Sequence, residues 1–96
     1  MKAYMVAHIE VQDPEGFAEY RDRVSPLVAR FGGRYLVRGG TAHPVEGAWS
    51  VPRLVIIEFD NLDAARTFYH SDEYQEILPL RLGASQGTVA FVEGVA

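Results

Sequence analysis

At 96 residues, 48% apolar and 23% charged, the chain can form one small domain (residues 1–96) with its own core, which excludes intrinsic disorder. Nine Lys and Arg against thirteen Asp and Glu leave a net charge of −4 and no basic run, which excludes a nucleic-acid footprint. Zero cysteines exclude disulfides, thiolate nucleophiles and cysteine-ligated zinc or iron–sulfur centres, and they fit a reducing cytoplasm. Lys2, His8 and Glu10 interrupt the N-terminal apolar residues, so neither a signal peptide nor a membrane span is expected.

The first predicted strand is Lys2–Val11, where Ala3, Met5, Ala7, Ile9 and Val11 form one apolar stripe. Asp13-Pro14 then opens a helix, with Asp13 as N-cap and Pro14 in the first turn. Phe17, Tyr20, Val24, Leu27, Val28 and Phe31 recur at helical spacing, and Gly32-Gly33 ends the run. Pro26 lies inside that pattern without an N–H to donate, so a kink is expected near Asp22–Pro26. A second strand covers Arg34–Arg38. The Gly39-Gly40 pair reads as a turn, leading into a loose segment to Pro52 with a short extra strand at Thr41–Glu46. The third strand is Arg53–Phe59. Asn61 caps a helix through His70, and Ser71 caps another over Asp72–Leu82, whose acidic Asp72 and Glu73 suit a first turn and which Gly83 closes. Thr88–Glu93 is the fourth strand.

The order β-α-β-β-α-β folds most simply as a ferredoxin-like α+β sandwich, an antiparallel sheet of order 4-1-3-2 with its helices on one face. The other face should then be polar, yet Tyr4 and Val6 break the polar stripe of the first strand, and Leu54 and Ile56 do so in the third. Four strands of about five residues leave a bare face of roughly 300 Å² in projection, comparable with the largest apolar patches of monomers, about 300–600 Å². A homodimer through the open sheet face is the expected cover.

Several fragments together carry a family likeness: Ile9-Glu10-Val11 with Asp13-Pro14, Phe17-x-x-Tyr20, and the run Gly32-Gly33-Arg34-Tyr35-Leu36-Val37-Arg38-Gly39-Gly40. Phe59, Ala64-Ala65-Arg66, Phe68-Tyr69-x-Ser71-x-Glu73-Tyr74-Gln75 and Val92-Glu93-Gly94 continue it. Over nearly its whole length the chain resembles the DUF1330-type domains of unknown function, within the dimeric α+β barrel superfamily. The resemblance implies the ferredoxin-like fold and sheet-to-sheet pairing. It leaves chemistry open, because the superfamily holds cofactor-independent monooxygenases, isomerases and haem enzymes beside ligand-sensing domains.

Pairing the first and third strands antiparallel puts Tyr4, Val6 and His8 across from Glu58, Ile56 and Leu54. With the second strand outside the third, Arg34 falls near Glu58 and Arg38 near Leu54. Two clusters follow: Tyr4–Glu58–Arg34 at one end, and His8 with Arg38 at the other, beneath a loop carrying His43, Glu46 and Trp49. His8 suits a general base at neutral pH, though an interface histidine is the more expected role. Arg38 suits a clamp on a substrate carboxylate or phosphate, and also an interface contact. Trp49 reads as a ligand lid or as an aromatic anchor across a dimer. Tyr4 and Glu58 read as substrate contacts or as parts of a cross-strand polar cluster with Arg34. Three scattered histidines make no metal signature, no nucleotide or phosphate motif is present, and no cofactor is expected.

Two functional classes stay open, beside a third in which the chain is a dimeric scaffold with no ligand. One is a small enzyme working by proton transfer or cofactor-independent oxygen chemistry, with His8 as base and Arg38 orienting the substrate. The other is a binding or sensing domain that holds a small molecule without changing it.

Overall fold

Over residues 1–50 and 52–96, which the computed structural model describes, the alternating and helical patterns resolve into seven elements. These are β1 (Ala3–Val11), α1 (Pro14–Arg30), β2 (Arg34–Gly40), β3 (Leu54–Phe59), α2 (Leu62–Tyr69), α3 (Asp72–Ala84) and β4 (Ser85–Glu93). Each helix starts on the side chain its sequence offered. Asp13 accepts from the Gly16 N–H at 3.3 Å, Asn61 from Ala64 at 2.8 Å and Ser71 from Tyr74 at 3.1 Å, satisfying donors that a helix N-terminus otherwise leaves free. At the far end of α1, Gly32 takes φ +80°, so that the N–H of Gly33 returns to the Val28 carbonyl at 2.8 Å.

The four strands form one antiparallel sheet in the order β2-β3-β1-β4, an α+β ferredoxin-like arrangement. β1 lies between β3 and β4, with Tyr4 opposite Glu58, Val6 opposite Ile56 and His8 opposite Leu54, the expected register. Odd positions of β1 and β3 turn toward the helices. Met5, Ile9, Ile57 and Phe59 pack there with Val24 and Val28 of α1, Phe68 of α2, and Tyr74 and Ile77 of α3. Aromatic rings fill the centre: Phe68 lies 4.8 Å from Tyr74 and 5.5 Å from Phe59, centroid to centroid, in tilted contacts that suit ring quadrupoles. With a smallest extent of 16 Å, the molecule is two layers thick.

α1 runs through Pro26 as one helical span, with Val24, Leu27 and Val28 buried on its core side. Four expectations are corrected. Gly39 and Gly40 are not a turn; they complete β2, and residues 41–50 hold no extra strand. Gly83 does not end α3, which reaches Ala84 and passes straight into β4. Two of the closing carbonyls are satisfied without a left-handed residue: the Ser85 hydroxyl donates to Arg81 at 2.6 Å, and the N–H groups of Gln12 and Asp13 donate to Ala84 at 2.8 and 3.0 Å. Finally, β2 is irregular. Its register against β3 shifts between Tyr35 and Val37 and again between Arg38 and Gly40, so Arg38 pairs with Val55 and not with Leu54.

Candidate functional site

A β-bulge adds a residue to one strand and so reverses which face the following side chains occupy. In β2 this moves Arg38 to the helix side, while His8 stays on the open side with Tyr4 and Val6. The expected His8–Arg38 cluster therefore does not form: the sheet separates them. The other expected cluster does. Tyr4 donates to Glu58 at 3.1 Å, and Arg34 donates to the other carboxylate oxygen of Glu58 through Nε at 3.1 Å and through Nη2. Arg34 holds the Glu58 carboxyl below its usual range, and the Glu58 hydrogen bond raises the Tyr4 phenol. Glu58 is thus a committed carboxylate at neutral pH rather than an acid with a proton to give. Trp49 lies in the exposed 41–50 segment with 58% of its surface accessible, and lines no described cavity.

Between the sheet and the helices lies a cavity of about 40 Å³. Its apolar wall comes from the inward stripes of β1, β3 and β4, chiefly Met5, Ala7, Val55, Ile57 and Val89. Its polar lining is cationic and phenolic: Arg21, Arg38, Arg53 and Arg81 with Tyr20 and Tyr35. The lining holds no Asp, Glu or His among the described residues. In a chain of net charge −4, four arginines around one small apolar space are a local inversion of the overall charge.

Three of the four guanidinium groups are placed by a packing feature. Arg38 Cζ lies 4.6 Å from the Tyr35 ring centroid, and its Nη2 donates to the Ser25 hydroxyl of α1. Arg53 Cζ lies 5.3 Å from the Phe17 ring, and its head sits against the backbone of Gly39, where φ is +79° and any Cβ would collide with the guanidinium. Arg81 is 7% exposed, with Cζ 6.0 Å from the Tyr20 ring. Burial works against its charge, but the neighbouring Tyr74 and Tyr20 hold its pKa above the usual value. Tyr20 and Tyr74 share a hydrogen bond of 2.8 Å. Burial, then Tyr74, drives the Tyr20 phenol far above its ordinary pKa, and burial raises Tyr35 as well. Both phenols stay protonated at physiological pH, so every polar group of this lining can donate a hydrogen bond and none is a ready base.

Of the residues first singled out, only Arg38 lines this cavity. Arg53 and Arg81 were missed, although both carry a signal. Arg53 shares the inward parity of Val55, Ile57 and Phe59, and Arg81 follows Tyr74 and Ile77 on the buried face of α3. A charged residue on an apolar stripe is the mark that would have found them.

A family model described as a domain of unknown function, DUF1330, matches residues 2–95. No curated protein of established function matches the chain. Among solved structures, the chain is similar to RPA0582, a protein of unknown function from Rhodopseudomonas palustris (16% identity, TM-score 0.80, covering 99% of this chain and 83% of that one). It is also similar to SnoaB, a cofactor-independent oxygenase from Streptomyces nogalater (14% identity, TM-score 0.65, covering 99% and 94%). A third likeness is to an ethyl tert-butyl ether (EthD) family protein from Bacillus halodurans (15% identity, TM-score 0.62, covering 99% and 100%). At these identities the likeness is one of fold.

Proposed function

Because the chain belongs to the DUF1330 family, whose function is unknown, its activity must be read from its own site, and we propose that it is a cytosolic, homodimeric small-molecule-binding protein. Its working site is the cavity between sheet and helices, and its open sheet face is the contact with a second copy. The observation that carries the binding reading is the lining itself: an apolar wall facing hydrogen-bond donors of which only Arg21 has a carboxylate, Asp22, within ion-pair distance among the described residues. The dimer is supported by the half-buried Val6, Leu54 and Ile56 on the open face, flanked by Val92 at 48% exposure. His8 and the Tyr4–Glu58–Arg34 cluster share that face, which gives His8 an interface role rather than that of a base in the cavity.

A second reading, that the protein is an enzyme, rests on the same cations. Fixed positive charge in a partly dry cavity stabilises an enolate or phenolate form of a ligand, the species that proton-transfer and cofactor-independent oxygen chemistry require. The likeness in fold to SnoaB supports this class. Against it stands the absence of a general base in the described lining, so binding without conversion is the reading the geometry favours.

Native mass spectrometry of the gently purified protein tests both parts of the proposal. The expected spectrum is a dimer carrying a retained small organic molecule. A monomer at micromolar concentration overturns the dimer, and a ligand that chemical-shift mapping places on the open sheet face overturns the assignment of the site.

A further inference from the structure

The cavity's arginines define what it takes. Arg38, Arg53 and Arg81 have no carboxylate within ion-pair distance among the described residues, and Arg21 has only Asp22, at 3.9 Å from its Nε. The Nε atoms of Arg53 and Arg81 are buried with no hydrogen-bond partner among the described residues. A buried guanidinium donor left unpaired is costly, because it has given up water without a replacement. Other arginines of the chain show the ordinary solution: Arg23, Arg30 and Arg34 all reach carboxylates. The cavity arginines instead lie by aromatic rings, at 5.3 Å from Phe17 for Arg53 and 6.0 Å from Tyr20 for Arg81. A ring at the face of a guanidinium compensates part of its charge and leaves the N–H edge for an acceptor in its plane.

We infer that the cavity binds a compact organic carboxylate, with Arg53 and Arg81 donating to the carboxylate and the apolar wall of Ala7, Val55, Ile57 and Val89 covering a short hydrocarbon body. The inference rests on the proposed use of this cavity and names its ligand class. Planar N–H forks match a carboxylate edge, and the apolar wall suits a hydrocarbon tail that inorganic phosphate lacks. Size sets the length: at about 40 Å³ the space holds roughly three water-sized groups, the body of a three- or four-carbon acid. Arg38 and Arg21, both exposed, sit where they draw an anion toward the mouth.

The test is a titration of the full-length protein with butyrate, its neutral isostere butyramide, and inorganic phosphate, followed by amide and side-chain chemical shifts. Butyrate is expected to bind in the millimolar range or tighter, shifting resonances of Ala7, Val55 and Val89, with butyramide and phosphate at least about tenfold weaker, the scale of one charge-assisted hydrogen bond. Arg53→Gln is expected to lose that about tenfold advantage over butyramide, and Arg53→Lys to recover only part of it, because an ammonium keeps the charge but not the fork. Unchanged circular dichroism and amide dispersion in the variants separate loss of recognition from loss of fold. Butyramide or phosphate binding as tightly as butyrate overturns the carboxylate assignment while leaving the cavity as a ligand site. No shift at these residues with any of the three overturns the carboxylate assignment, and if the protein's own retained ligand also leaves them unmoved, the cavity reading falls with it.

Discussion

Three carboxylate-free arginines and one committed carboxylate set the residue-scale behaviour. Glu58 accepts from Arg34 and Tyr4, and its folded-state pKa lies below the ordinary value of about 4.3. A depressed carboxyl contributes stability that is fully present above the unfolded pKa and is lost as pH falls through the folded one. Urea unfolding of Glu58→Gln is therefore expected to show a shallower loss of stability than wild type below about pH 4.5, with little difference in slope between about pH 6 and 8. An identical acid slope in the two proteins would mean that the pair is not held in solution. The carboxylate end of this cluster was legible in the sequence because register follows from alternation: Tyr4, Glu58 and Arg34 share one face as long as the strands stay regular. Arg53 and Arg81 were legible only as breaks in apolar stripes. Charge on a stripe says that something satisfies it, without saying what.

At the scale of elements, the decisive feature is the irregular edge strand β2. A regular β2 would have kept Arg38 on the open face beside His8; the register shifts at Tyr35/Val37 and Arg38/Gly40 carry it to the helix side. Gly39 holds the second irregularity open, with φ +79° and its missing Cβ making room for the Arg53 head. Gly39→Ala is expected to destabilise the fold by about 1–3 kcal/mol, the range for a strained backbone position, and to weaken ligand binding with it. Its urea midpoint and its butyrate titration measure the two effects. A variant with wild-type stability and wild-type binding would show that Gly39 does not position Arg53. Nothing in Arg34-Tyr35-Leu36-Val37-Arg38 announces a bulge, because Tyr35, Leu36 and Val37 are all apolar and such a run fits either register. The helix starts were far easier to read, since a cap is a bond between residues three apart.

For the whole molecule, the chain covers one face of its sheet and leaves the other bare. The broad side spans 36 by 32 Å, enough for a face near the roughly 800 Å² per partner of a standard interface. Ile56, at the middle of the open face between Val6 and Val37, is where a charge would do most harm to pairing and least to the core. Ile56→Lys is expected to shift sedimentation from dimer toward monomer at micromolar concentration, with the far-ultraviolet circular dichroism of the parent. A dimer of unchanged strength would place the contact elsewhere. By itself the sequence determined the element order, the three N-caps, the apolar stripes and the β1–β3 register, because each depends on residues close in the chain or on strict alternation. Only the tertiary structure decided that Arg38 leaves His8, that Arg53 and Arg81 converge with it, and that their shared space has no carboxylate in its described lining. Those facts follow from a backbone slip in one strand and from residues as far apart in the chain as Arg38 and Arg81, and short-range patterning carries no record of either.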